Sequence, residues 1–348
     1  MIASRIPPPE EAPPFRWGVL GTGWIADRFV RSLAPRTRQS VVAVGSRDPR
    51  RAELFAREHG IARGHGAYED LVADPAVDIV YVATGHLDHH DHALLAIAAG
   101  KHVLVEKPIG ISADEARSIA VAARRAEVFC TEALWTFFLP RFDVVAQLLA
   151  SQEFGELRSV VAHYDEWLPE SHRAMRPDLA GGSLLDLGTY PIALAARLLG
   201  PVSELAAFGT KARSGVNAQA TVSLRSGGVL ASLHTGISGT GDSAATLIGT
   251  GGSIVLPGPF YQPGPVLRVD RGGTVRTVFD EERIGHEGLY WEAAAVARDV
   301  AAGRTESVHR PLDDSIRFLE LMDEVRRDLG VIFPGESMPA QRPADDRR

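Results

Sequence analysis

Residues 16–33 read RWGVLGTGWIADRFVRSL, and the reading of this stretch decides the fold. Trp17 to Leu20 is an apolar run of strand length. From Trp24 to Leu33 the apolar residues recur at helical spacing. Between them stand Gly21, Gly23 and Ala26, a G-x-G-x-x-A pattern. The glycines permit a tight turn and let backbone N–H groups approach a pyrophosphate at the helix N-terminus. The string alone is weak. Placed after a strand and opening a helix, it predicts a dinucleotide-binding loop built from Gly21, Thr22, Gly23, Trp24 and Ile25.

The rest of the first third repeats the alternation. VVAVGS, DIVYVAT, HVLVE and VFCTEA read as strands. PRRAELFAREHG, DHALLAIAAG and SADEARSIAVAARRAE read as helices, the last opening on a capping box from Ser112 to Glu115. Strands alternating with helices at this spacing predict a parallel sheet buried on both faces. After residue 155 the pattern changes. LRSVVAHYDEW, VSELAAFGTKA, AQATVSLR, GVLASLHTGI and ATLIGT read as strands, with hairpin turns at 226–228 and 271–273. The expected architecture is α/β: an N-terminal Rossmann domain and a C-terminal α+β domain with a large, mostly antiparallel open sheet. The predicted segments are a disordered tail 1–14, a cofactor domain 15–131, a second domain 132–334 and a disordered tail 335–348. A last helix is expected over Leu312–Leu329, ending at Gly330.

Composition narrows the partners. The chain has 348 residues, enough for two cores, and a net charge of −7 with no basic run. Nucleic acid is therefore not expected, because phosphate binding needs clustered Lys and Arg. One cysteine, Cys130, allows no internal disulfide. There is no run of eighteen apolar residues and no apolar leader in MIASRIPPPEEAPPF, so no membrane partner and a cytoplasmic location are expected.

Three stretches carry candidate chemistry. The first is GKHVLVEKPIG, residues 100–110. If HVLVE is the fourth parallel strand, Glu106 and Lys107 fall at its carboxyl end, the ligand edge of such a sheet. Pro108 then ends the strand. The second is AGGSLLDLGTYPIALAARLLG, where Asp186 and Tyr190 stand four residues apart. On a helix they share a face, and Pro191 predicts a kink near Gly188. The third is HLDHHDH, residues 86–92. Its four histidines suggest zinc, but no cysteine or acidic cluster completes a ligand set, and no metal is expected. The stretch follows a strand, so Thr84, His86 and His89 are candidates for the cofactor crevice, one histidine facing the nicotinamide ribose.

Cofactor choice is read at the end of the second strand. An acid there would bind a ribose 2′-hydroxyl. The residues are Gly45, Ser46 and Arg47. A hydroxyl and a guanidinium suit a 2′-phosphate, and Asp48 before Pro49 reads as a helix cap. NADP is expected, with NAD possible.

TGWIA, ATGHLDHH, AGKHVLVEKP, TEALWTFFLP and GGSLLDLGTYP stand in the order seen in the Gfo/Idh/MocA oxidoreductase family. The chain resembles its branch of dimeric dihydrodiol dehydrogenase and NADP-dependent D-xylose 1-dehydrogenase, from about Phe15 to Pro334. The resemblance implies hydride transfer between a nicotinamide and an alcohol or carbonyl carbon of a sugar, cyclitol or related diol. It implies a homodimer or higher homo-oligomer built through the open sheet. It makes Lys107 the catalytic lysine, Tyr190 its partner, Asp186 the acid of that motif and His89 the histidine of the loop after the third strand. Two departures stand out: Gly85 where that loop usually has proline, and Phe137 where the branch commonly has arginine, a change expected to alter the substrate polarity accepted.

On this reading Lys107⁺ lowers the Tyr190 phenol from its ordinary pKa near 10. Both contact the reacting oxygen, Tyr190 as base and Lys107 stabilising the alkoxide. Asp186 binds a second substrate hydroxyl or holds Lys107, and Glu106 orients Lys107 or anchors the loop. Trp135 and Phe138 are expected to wall the nicotinamide side. Trp167, His286 and Tyr290 serve either the substrate pocket or the core. Two competing readings are a ketoreductase of sugar biosynthesis and a non-catalytic NADP-binding sensor.

Overall fold

The computed structural model describes residues 1–336; most of the expected C-terminal tail lies outside them. Six strands form one parallel sheet: β1 (Arg16–Leu20), β2 (Ser40–Gly45), β3 (Arg63–His65), β4 (Ile79–Val82), β5 (His102–Glu106) and β6 (Cys130–Ala133). Their order is β3-β2-β1-β4-β5-β6. The crossovers are α1 (Trp24–Leu33), α2 (Pro49–His59), α3 (Tyr68–Ala73), α4 (His89–Ala98) and α5 (Ala113–Ala126). HVLVE is thus the fifth strand, not the fourth. The extra one, β3, is three residues of Arg-Gly-His with no apolar signature. β4 is buried along its whole length, as a central parallel strand must be. Phe29 of α1 stacks on Tyr81 of β4 with ring centroids 3.9 Å apart. Burying rings of this size stabilises by about 1.5–3 kcal/mol each.

Helix α6 (Pro140–Leu149) leads to the second sheet. Its strands are β7 (Leu157–Asp165), β8 (Glu204–Lys211), β9 (Asn217–Ser226), β10 (Val229–Gly236), β11 (Ala245–Gly249), β12 (Gly252–Leu256), β13 (Val266–Asp270) and β14 (Val275–Phe279). The order is β14-β13-β12-β11-β7-β10-β9-β8. Only the β7–β10 pair is parallel. Burial along β9 alternates residue by residue, the mark of a sheet with one covered face. The covering helix is α7 (Thr189–Leu198). It follows a π-helical turn over Leu184–Gly188. The two meet at Gly188, where a kink was expected. Pro191, lying just beyond it, has no N–H to bond back into that turn, and the Asp186 carbonyl there accepts from Lys107 instead.

The chain then returns to the first sheet through α8 (Tyr290–Ala301) and α9 (Leu312–Leu329). α9 ends at Gly330 in the left-handed region, φ +62°. Between these helices the backbone N–H of Cys130 on β6 donates to Thr305 O at 3.0 Å. The first fourteen residues are not a loose tail. The Ile2 N–H donates to Val278 O on β14, Arg5 pairs with Asp143, and Ala12 is fully buried beside Ala294 and Ala297. Proline-rich composition hid these contacts, because they are made by other parts of the chain.

Candidate active site

A cleft of about 1170 Å³ runs along the carboxyl edge of the first sheet and ends against the second. Such a volume exceeds that of most small-ligand pockets and suits a dinucleotide with a second molecule beyond it. At one end is the loop 21–25. Gly21 has φ +107°, and a Cβ there would stand 2.5 Å from Ala83 O, so no side chain fits. Gly23 faces open space, and as N-cap of α1 it supplies no side-chain hydrogen bond. The free N–H groups of that helix terminus are thereby left to an anion. The pyrophosphate of a nicotinamide dinucleotide fits this cradle.

Beyond β2, Ser46, Arg47 and Arg51 line the same end. Asp48 also borders it, but its carboxylate caps α2 by accepting from Arg50 N at 2.9 Å. Two guanidinium groups and an acid already engaged suit a 2′-phosphate. Arg51 was missed from sequence, although its place in the first turn of α2 beside Arg47 is the available signal.

The histidines of this stretch take separate partners. His90 meets Asp91 and Ser118, and His92 meets Thr84 Oγ1 at 3.0 Å. His89 has Nδ1 2.7 Å from Pro108 O and Nε2 3.2 Å from Thr84 O. Burial lowers its pKa to about 4, so it is neutral, and its single ring N–H donates to only one of these two carbonyls. His86 is the histidine left with an unused atom. Burial holds it well below its ordinary pKa. Its Nε2 accepts from Arg173 at 3.4 Å, and its Nδ1 is buried without a partner at the cleft.

Lys107 and Tyr190 stand together at the centre. The Lys107 ammonium donates to the backbone carbonyl of Asp186 at 2.9 Å and lies 5.1 Å from the Tyr190 ring centroid. Burial lowers the proton affinity of Lys107, with Asp186 and Glu106 opposing it. The Lys107–Pro108 bond is cis. Glu106 accepts from Tyr81 OH and from the Lys107 backbone N–H. It therefore anchors the strand end. Trp135 Nε1 donates to Tyr190 OH at 3.3 Å, leaving the phenolic proton free to be given away.

The expected depression of the Tyr190 pKa is corrected by this geometry. The phenol is pushed well above its ordinary value, chiefly by burial and then by Tyr261. An ammonium at that ring distance, itself weakened by burial, does not offset desolvation. Asp186 does not hold Lys107 through its carboxylate. Its Oδ1 accepts from Arg173, and its Oδ2 is buried and unpartnered, available to a substrate hydroxyl.

Several expected residues lie elsewhere. Phe138 is fully buried and packs toward His309. Trp167 is 61% exposed and does not border the cleft. Tyr290 is core, with Arg36 over its ring. Phe137 lies beneath Arg197 and Arg310, away from the cleft, so the loss of arginine there does not set substrate polarity directly. His286 does reach the site: it stacks on Trp135 at 5.3 Å and meets Trp24 edge-on at 4.9 Å. Missed altogether were Tyr164, Glu166, Arg173, Tyr261 and Gln262. They come from β7 and from loops that only the tertiary fold brings together.

Residues 15–134 match the sequence model described as "Oxidoreductase family, NAD-binding Rossmann fold", and residues 142–255 match the GFO/IDH/MocA C-terminal domain. A trans-1,2-dihydrobenzene-1,2-diol dehydrogenase of Oryctolagus cuniculus is 36% identical over 325 residues, covering 91% of this chain and 99% of that protein. The Homo sapiens protein of the same name is 33% identical, covering 92% and 98%. Among solved structures, a 3-ketoreductase from Actinomadura kijaniata in complex with NADP and TDP-benzene aligns with TM-score 0.80 at 28% identity, over 91% of this chain and 98% of that one.

Proposed function

This chain belongs to the Gfo/Idh/MocA oxidoreductase family and is an NAD(P)-dependent oxidoreductase acting on CH–OH groups; on that footing we propose that it uses NADP and takes a small ring-shaped diol or polyol. The observation that carries the proposal is the pairing of Lys107 with Tyr190 at the sheet edge, beyond the glycine loop. A sensor needs no such pair.

The bound cofactor supplies the hydride chemistry. Gly21, Gly23 and the N-terminus of α1 would hold its pyrophosphate, Ser46, Arg47 and Arg51 its 2′-phosphate. The substrate oxygen lies between Lys107 and Tyr190. Tyr190 is held protonated by its burial, the state needed at the start of carbonyl reduction. Its O–H gives the proton while the Lys107 ammonium stabilises the developing alkoxide. In the alcohol-oxidising direction the proton returns to the Tyr190 oxygen. Asp186 Oδ2 accepts from a neighbouring hydroxyl and orients the ring.

The test is NADPH formation from NADP⁺ with aldoses, inositols and cyclic trans-diols. Turnover of at least one neutral member is expected, with kcat/KM for NADP⁺ at least about tenfold above that for NAD⁺, the scale of one charge-assisted contact. Binding of NADP⁺ without turnover of any member favours the sensor, and a clear preference for NAD⁺ overturns the cofactor reading.

The chain is placed in the cytoplasm by this proposal. Among the described residues, one stretch has membrane-span length and hydropathy, Pro177–Leu198, and 89% of its apolar window is buried inside the protein. The open face of the second sheet carries Val161, Leu230 and Ile248, each more than a third exposed. A second copy is the proposed cover for that face. Light scattering is expected to give a dimer or a multiple of it; a monomer at micromolar concentration removes the idea.

A further inference from the structure

We propose that Glu166 selects neutral polyols and excludes anionic sugars at the mouth of the substrate pocket. The inference rests on the oxidoreductase reading above and adds the substrate class.

Glu166 directly follows β7 and borders the cleft. A directed chain of hydrogen bonds holds it there. Gln262 Nε2 donates to Tyr261 OH at 3.2 Å, Tyr261 OH donates to Tyr164 OH at 2.7 Å, and Tyr164 OH donates to Glu166 Oε2 at 2.8 Å. The two phenol rings stack with centroids 4.4 Å apart, and Tyr261 lies 4.4 Å from Tyr190 in turn. Three aromatic rings therefore form a continuous wall from the reacting centre to Glu166. Such a wall suits the flat apolar face of a ring, while its hydroxyls and the carboxylate meet the ring's O–H groups.

The charges on this half of the cleft point the same way. On this half Arg173 pairs with the Asp186 carboxylate, and the Lys107 ammonium sits deeper, on the Asp186 carbonyl beside Tyr190. The remaining arginines of the cleft, Arg47 and Arg51, border the opposite end with Ser46. Asp165, next to Glu166, pairs with His234 at 3.0 Å. Glu166 keeps Oε1 without a hydrogen-bond partner among the described residues. A carboxylate held in place accepts from a substrate diol and repels a phosphate or carboxylate brought to the same position. Specificity then has an attractive and a repulsive part on one residue.

The experiment uses the full chain with NADP⁺ and two classes of probe: D-glucose, D-xylose and myo-inositol as neutral ligands, and D-glucose 6-phosphate as the anionic one. Wild type is expected to prefer the best neutral probe by at least about 30-fold in kcat/KM, a loss typical of an unpaired or repelled charge. E166Q is expected to raise KM for that probe by about tenfold with kcat within about threefold. E166D is expected to recover part of the loss. E166K is expected to shrink the preference over the phosphate by about 100-fold. The KM-against-kcat split separates recognition from a general loss of structure.

Calorimetry on the NADPH complex reads the same preference as affinity, so the proposal stands or falls even without turnover. Unchanged KM and unchanged preference in E166Q, with an active wild type, overturn the role of Glu166 and leave the oxidoreductase reading intact. Preferred binding of D-glucose 6-phosphate, or no binding of any neutral probe, overturns the proposal outright. Failure to bind either nicotinamide dinucleotide would instead strike the reading on which it rests.

Discussion

Lys107→Ala and Tyr190→Phe are each expected to lower kcat by about 10²–10⁴-fold, the usual contribution of a positioned acid–base group. The reason differs for the two. Tyr190→Phe leaves the ring packed against Tyr261 but removes the phenolic proton that would go to the substrate oxygen. Lys107→Ala removes the charge that would stabilise the alkoxide and also leaves the Asp186 carbonyl without its donor. NADP⁺ affinity is expected to change far less, because the glycine loop and the Arg47 end are untouched. The pH profile follows from the direction of the Tyr190 shift. Burial raises the phenol well above its ordinary value, so the protonated form dominates at neutral pH. Carbonyl reduction begins from that form, whereas oxidation begins from the rare phenolate. Oxidation is therefore expected to quicken with rising pH across the neutral and mildly alkaline range, and this slope is expected to vanish in Tyr190→Phe. Steady-state kinetics decides the matter: either variant within about fivefold of wild type ends the assignment.

Glu132→Ala is expected to cost about 3–5 kcal/mol of stability, the price of stranding a buried charge. Glu132 on β6 is fully buried, and so is the Arg310 guanidinium that donates to it at 2.9 and 2.5 Å. Ser315 of α9 donates to the same oxygen at 2.8 Å, and the backbone N–H of Ile109 donates to the other at 3.0 Å. Removing the carboxylate leaves one cation, one hydroxyl and one backbone N–H without their acceptor in the interior. Replacing Arg310 by methionine in the same chain is expected to recover much of the loss, since a buried ion pair exchanged for apolar groups is often close to neutral. Urea denaturation of the single and double variants measures both effects; a loss under about 1 kcal/mol in Glu132→Ala would show that the pair is solvated in solution. Because Ile109 lies two residues after Lys107, the single variant is also expected to lose kcat.

How much of this was legible in the sequence depends on the kind of signal. The glycine loop, Lys107 and Tyr190 were legible because each sits in a short motif whose geometry is local. α9 was legible to the residue, from its apolar periodicity and terminal glycine. β3 and β12 were not, because three polar residues, or a five-residue strand opening on glycine, carry too little pattern. TEALWTFFLP announced aromatic residues beside the cofactor edge, yet only Trp135 faces the cleft. Phe137 and Phe138 instead meet Arg310 and His309, more than 170 positions along the chain. Glu166 was illegible for the same reason: its meaning comes from Tyr164, Tyr261 and Gln262, and no spacing links them. The Tyr190 shift failed differently. Sequence could count the charge of Lys107 but not the desolvation that outweighs it.

The contact of Ile2 with Val278 gains weight beside that of Cys130 with Thr305. Each lies along the outer rim of a sheet, where unpaired backbone groups invite a foreign strand. The first closes β14 and the second closes β6. At the far rim of the first sheet, β3 is only three residues long. Strand addition is thereby hindered at three of the four rims, and the proline-rich N-terminal segment covers one of them. Removing residues 1–6 would strip that cover without touching the cleft.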